Sequence, residues 1–131
     1  MKKKNILILT DGSGGTSKMA SEIAAALKGN KVAVKAASDF QGTDLLPADV
    51  FFLGCEKPKP ESFTYVDDLF KHINLAGRRC GIFSPGSEKA AKYLATLVRD
   101  SEASVNPEPL FDCSGNAAGN WIEKVISGGV L

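Results

Sequence analysis

Short apolar runs alternate along this chain with stretches whose apolar residues recur at helical spacing, and that alternation leaves few folds open. Asn5–Thr10 and Val50–Gly54 are apolar almost without interruption, as strands covered on both faces must be. Residues 80–84 form a shorter run of the same kind, and residues 110–113, introduced by Pro107 and Pro109, form the last. Lys31–Ala36 differs, because Lys31, Ala33 and Lys35 alternate with Val32, Val34 and Ala36. Lysines along one face suit the edge of a sheet.

Helical spacing fills the gaps. Ala20, Ile23, Ala24 and Leu27 follow i, i+3, i+4, i+7 and stop at Gly29-Asn30, and Val66, Leu69, Phe70 and Ile73 repeat the pattern up to Gly77. Ala91, Leu94, Ala95 and Val98 make a third stripe, and Ala118, Trp121, Ile122 and Val125 a fourth. Residues 39–49, with Gly42 and Pro47, allow a loop holding one helical turn. Five strands alternating with four or five helices imply an α/β fold, a doubly wound five-stranded parallel sheet with right-handed crossovers and helices on both faces. An edge strand placed second and a buried strand placed first give the order 2-1-3-4-5.

Composition bounds what such a sheet can serve. A chain of 131 residues, 44% hydrophobic and 24% charged, is expected to form one domain over residues 1–131. Its formal charge of +1 predicts no nucleic-acid partner, and the basic run at residues 2–4 reads as the solvated start of the first strand. No apolar segment is long enough for a bilayer, so no membrane partner is expected and the cytoplasm is the expected address. Cys55, Cys80 and Cys113 are odd in number and lack CxxC or His-Cys spacing, which argues for reduced, partly buried thiols and no metal.

The densest cluster of chemistry is Thr10-Asp11-Gly12-Ser13-Gly14-Gly15-Thr16-Ser17, a glycine-rich turn between the first strand and the first helix. Backbone N–H groups at such a turn converge on an anion, and the hydroxyls of Ser13, Thr16 and Ser17 can add donors. An ordinary strand-to-helix turn, with glycine for geometry and Ser or Thr as cap, fits the same residues. Two more loops leave the carboxyl ends of strands. Cys55-Glu56-Lys57-Pro58-Lys59-Pro60 cannot be regular structure, and its prolines predict extended conformations at Lys57 and Lys59. Ser84-Pro85-Gly86-Ser87 precedes Glu88, with Ser87 as the expected N-cap of the next helix.

Ser13-Gly14-Gly15-Thr16 followed by Ala20 resembles the phosphate motif of the flavodoxin family, a Thr-Gly-Asn-Thr turn with Ala four residues beyond its last Thr. Phe52-Leu53-Gly54-Cys55 and residues 77–84 are similar to the third and fourth strands of short-chain flavodoxins. The resemblance covers nearly the whole chain. It implies a flavodoxin-like sheet, FMN as cofactor, and an electron carrier between redox partner proteins with no substrate turnover of its own. It places cofactor contacts on Asp11, Gly12, Ser13, Gly14, Gly15, Thr16 and Ser17, on Cys55, Glu56, Lys57 and Pro58, and on Ser84, Pro85, Gly86 and Ser87. Asp11 stands where the family carries Ser or Thr, so a carboxylate beside a phosphate is expected to weaken FMN binding. Residues 84–89 offer no aromatic ring for the flavin, and Phe63 and Tyr65 are the nearest candidates. In the family a backbone carbonyl after the third strand turns over to meet the reduced flavin, a movement that Pro58 and Pro60 are expected to resist.

Other occupants of such a sheet fit less well. A phospho-acceptor domain needs Asp after the third strand and Lys after the fifth, where Cys55 and Cys113-Ser114-Gly115 stand. Cysteine nucleophiles are disfavoured because His72, the only histidine, falls on the polar side of its helix, and Trp121 has the spacing of a core residue. Two readings stand: an FMN-binding electron-transfer protein, and a flavin-free module that binds another small anion or a protein partner.

Overall fold

Alternate side chains of the central strands divide the interior into two cores. The computed structural model describes residues 4–27, 29–106, 108–112 and 117–127. Its strands are β1 (Asn5–Thr10), β2 (Lys31–Ala36), β3 (Val50–Gly54), β4 (Arg79–Phe83) and β5 (Ser104–Val105), all parallel, in the order β2-β1-β3-β4-β5. The helices are α1 (Gly14–Ala26), α2 (Gly42–Leu45), α3 (Thr64–Phe70), α4 (Glu88–Arg99) and α5 (Ala117–Ser127). Leu7, Leu9, Phe51, Leu53 and Ile82 pack with Val66 and Phe70 of α3 and with Leu94 and Val98 of α4. Ile6, Ile8, Phe52 and Phe83 pack with Met19 and Ile23 of α1 and with Trp121, Ile122 and Val125 of α5. Each fully buried Leu, Ile or Phe contributes about 1.5–3 kcal/mol, so the period-two pattern of the strands fixes the register of both layers.

The edge position of β2 follows its lysines, and one side chain of its other face, Val34, stays 49% exposed. Trp121 is a core residue, and its Nε1–H donates to the Glu108 carbonyl at 2.6 Å. It is accommodated by Gly81, where a Cβ would come within 2.9 Å of both Trp121 and Phe52.

Two elements differ from the sequence reading. The last strand is not 110–113: Ser104 and Val105 pair with Arg79 and Cys80, and Leu110 alone returns to bridge Phe83. Three steps along β4 from Cys80 to Phe83 are matched by five from Val105 to Leu110, so two residues are looped out. Pro109, which has no N–H, lies in that excursion, as expected of a proline at a sheet edge; Cys113 lies outside the described residues. The third helix ends at Phe70 and does not run on to Ile73. Lys71 and His72 donate to the carbonyls of Asp68 and Leu69, three residues back, which tightens and closes the last turn. Ile73 then packs on the core from beyond the helix.

Among the described residues, no helix is long and apolar enough to cross a membrane, and no group of three His, Cys, Asp or Glu is placed to hold a metal ion.

Candidate functional site

Because β1, β3 and β4 are adjacent, the loops leaving their carboxyl ends meet at one edge of the sheet, the usual ligand position in open α/β folds. The first loop is shaped by its own side chains. Thr10 Oγ1 accepts from the Gly12 N–H at 3.2 Å, and Gly12 takes a φ of +82° that a residue with Cβ would resist. Ser13, extended at φ −70° and ψ 153°, is the N-cap of α1, and its carbonyl accepts the Ser17 N–H at 2.9 Å. The N–H groups of Gly14, Gly15 and Thr16 are left without an acceptor among the described residues, at the positive end of a 13-residue helix. The open donors therefore span Gly14 to Thr16, while Gly12, Ser13 and Ser17 spend their N–H groups inside the loop. Ser13 Oγ lies 2.8 Å from both Asp11 Oδ1 and Thr16 Oγ1, and Thr16 is fully buried.

Asp11 is engaged by the chain itself. Its Oδ1 accepts from the Ser13 N–H at 3.0 Å and from Ser13 Oγ at 2.8 Å, and its Oδ2 accepts from the Glu56 N–H at 2.8 Å. Ser62 Oγ donates to the Asp11 carbonyl at 3.4 Å.

In the second loop, Cys55 turns into the core and Glu56, Lys57, Pro58 and Lys59 are exposed. Burial, with the Asp11 charge adding to it, pushes the Cys55 thiol up to about 12; Cys80 is also raised by burial. Neither is a nucleophile at neutral pH. Lys59 is not extended: its φ is +51°. A proline followed by a positive-φ residue has the φ pattern of a type II turn, and here the turn outweighs the preference that Pro60 imposes on its neighbour.

The third loop hangs from the looped-out edge, since the Ser84 N–H donates to the Leu110 carbonyl at 2.9 Å. Gly86, at φ +81°, donates to the Ser84 carbonyl at 2.8 Å, and Ser87 Oγ caps α4 by accepting the Ala90 N–H at 3.1 Å. Ser84 Oγ is buried with no hydrogen-bond partner among the described residues.

All three loops meet at Gly15. A Cβ there would stand 3.2 Å from Pro85 Cγ and 3.3 Å from Glu56 Oε1. The loops thus pack closed on one another, and a groove of about 580 Å³ lies elsewhere, between α4 and the end of β5. Phe63 is fully buried in the core, and the Tyr65 hydroxyl accepts the Gly42 N–H at 3.0 Å while its ring packs on Phe40, so the structure places neither ring among the three loops. His72 is exposed, as expected, although it lies in the turn beyond α3 and not on the polar side of a helix. Sequence reasoning counted Thr10 in the first loop without giving it a role, and passed over Ser62. A hydroxyl two residues before Gly12 was a readable turn signal, whereas Ser62 reaches Asp11 across 51 positions and left none.

No family model matches the chain, and no curated protein matches it in sequence. Solved structures do match. A short-chain flavodoxin associated with a PDU bacterial microcompartment superposes with a TM-score of 0.83 at 13% identity, over 98% of this chain and 100% of that one. The chain has the flavodoxin-like fold. The flavodoxin of Streptococcus pneumonia TIGR4 gives 0.75 at 16% identity, over 96% and 99% of the two chains. A Fusobacterium nucleatum flavodoxin bound to flavin mononucleotide gives 0.73 at 14%, over 95% and 98%. At these identities the likeness is one of fold, so the function of this flavodoxin-like chain has to be argued from its site.

Proposed function

We propose that this chain is a flavodoxin-like electron carrier that binds FMN at the junction of the three loops. The observation that carries the reading is the meeting of the loops after β1, β3 and β4 at Gly15, beside the three open amides of α1. The accessible amides of Gly14 and Gly15 hold the phosphate, with the unpaired N–H of buried Thr16 behind them, where the aligned helix favours negative charge. Glu56, Lys57 and Pro58 border the flavin ring on one side, and Ser84, Pro85, Gly86 and Ser87 on the other. Bound FMN supplies reversible one- and two-electron transfer. In this reading the chain contributes binding and orientation, the thiols of Cys55 and Cys80 being buried, and redox partner proteins deliver and remove the electrons.

A second reading draws on the packing of Glu56 and Pro85 against Gly15. If those contacts persist in solution, the amides of α1 take a small free anion such as phosphate and the junction stays closed to a ring. Titrating the protein into FMN while following flavin fluorescence separates the two. Saturable quenching supports the electron carrier, and unchanged fluorescence with retained phosphate binding supports the closed module.

A further inference from the structure

Asp11 joins two of the three loops through opposite oxygens of one carboxylate. Oδ1 is held by Ser13 in its own turn, and Oδ2 by the backbone of Glu56, a residue 45 positions away. Hydrogen bonds to an ionised acceptor are about twice as strong as neutral ones. A hydroxyl side chain has one oxygen, which cannot stand at both positions that Oδ1 and Oδ2 occupy. Fixing the Glu56 backbone also fixes the start of the side chain whose Oε1 borders Gly15.

We infer that Asp11 is a positioning residue that ties the loop after β3 to the open amides of α1, so that anion binding at the amides and ring binding at the loop are coupled. The identity of the ligand rests on the flavin reading above; the tie itself does not. The consequence opposes simple charge repulsion. A carboxylate aimed at a phosphate weakens binding, whereas one whose two oxygens are taken by the chain's own donors strengthens binding by ordering both loops beforehand.

Riboflavin affinity with and without saturating inorganic phosphate tests this in the wild type and in Asp11→Asn, which keeps the size but loses one acceptor. Phosphate tightens riboflavin binding several-fold in the wild type, and the ratio falls to about one in the variant. Exchange of the Glu56 amide hydrogen, read by NMR, is about tenfold or more faster in Asp11→Asn. FMN affinity in Asp11→Thr falls by about tenfold. An equal phosphate effect in both proteins, unchanged Glu56 exchange, or tighter FMN binding by Asp11→Thr overturns the inference. If the wild type binds neither FMN nor riboflavin, the flavin reading fails and the Glu56 exchange decides alone: acceleration upholds the tie and no change overturns it.

Discussion

Phe83 lays its ring across Gly54, so that a Cβ at position 54 would clash with the ring. The two residues are register partners at the carboxyl ends of β3 and β4, and both are buried. This contact sets the ends of the two strands level and thereby the starts of the two loops that approach Gly15. Gly54→Ala therefore destabilises the fold by about 3 kcal/mol, the upper part of the usual range for overpacking. Chemical denaturation measures it, and Gly54→Ala combined with Phe83→Leu recovers part of the loss if the ring is the cause. A neutral single substitution would show that the ring moves aside freely.

Lys59 holds a positive φ with a long side chain. Left-handed backbone costs a residue with Cβ roughly 1–2 kcal/mol, while glycine adds about 0.5–1 kcal/mol of unfolded-state entropy. Lys59→Gly is thus more stable than the wild type by a few tenths to about 1 kcal/mol, and Lys59→Ala, which keeps the Cβ, is not. Comparing the denaturation midpoints of the two variants checks the backbone account with the charge removed in both. Equal midpoints would count against it.

Most of the fold was legible because the sheet is buried on both faces. Uninterrupted apolar runs located β1 and β3, and the lysines of Lys31, Lys35 located the edge at β2. The last strand was misplaced because Ser104 and Val105 carry too little apolar signal, while Leu110, which carries more, pairs only as an isolated bridge. The α3 boundary was missed because Ile73 packs on the core as a helical residue would, but from a chain that has already left the helix. At the site, glycine and hydroxyl residues announced the first loop, and strand ends announced the other two. The partners of the Asp11 carboxylate were not readable, since its second oxygen is taken by a backbone group far along the chain, and sequence shows charge without showing where it points.

Cys55 and Cys80 are inert in the folded protein. With the Cys55 thiol pushed up to about 12, chiefly by burial, only on the order of one molecule in ten thousand carries a thiolate at pH 8. In a Cys113→Ser background, labelling by a thiol reagent at pH 8 is roughly a hundredfold or more slower than in denaturant. Because the folded thiol ionises at higher pH than the unfolded one, the neutral form is favoured by folding. Stability from this site is complete below the ordinary thiol range and is lost progressively as pH rises through it toward 12. Rapid labelling of the folded protein would show an accessible thiolate beneath the loop after β3.

The central claim is that one ligand spans the three loops with its phosphate on α1. Backbone amide NMR during titration with FMN, with inorganic phosphate in parallel, tests it most directly. Phosphate shifts the amides of Gly14, Gly15 and Thr16 most strongly, and FMN shifts those same three together with Glu56, Lys57, Gly86 and Ser87. Shifts by FMN that avoid Gly14 to Thr16, or that map to the groove between α4 and β5, would contradict the account.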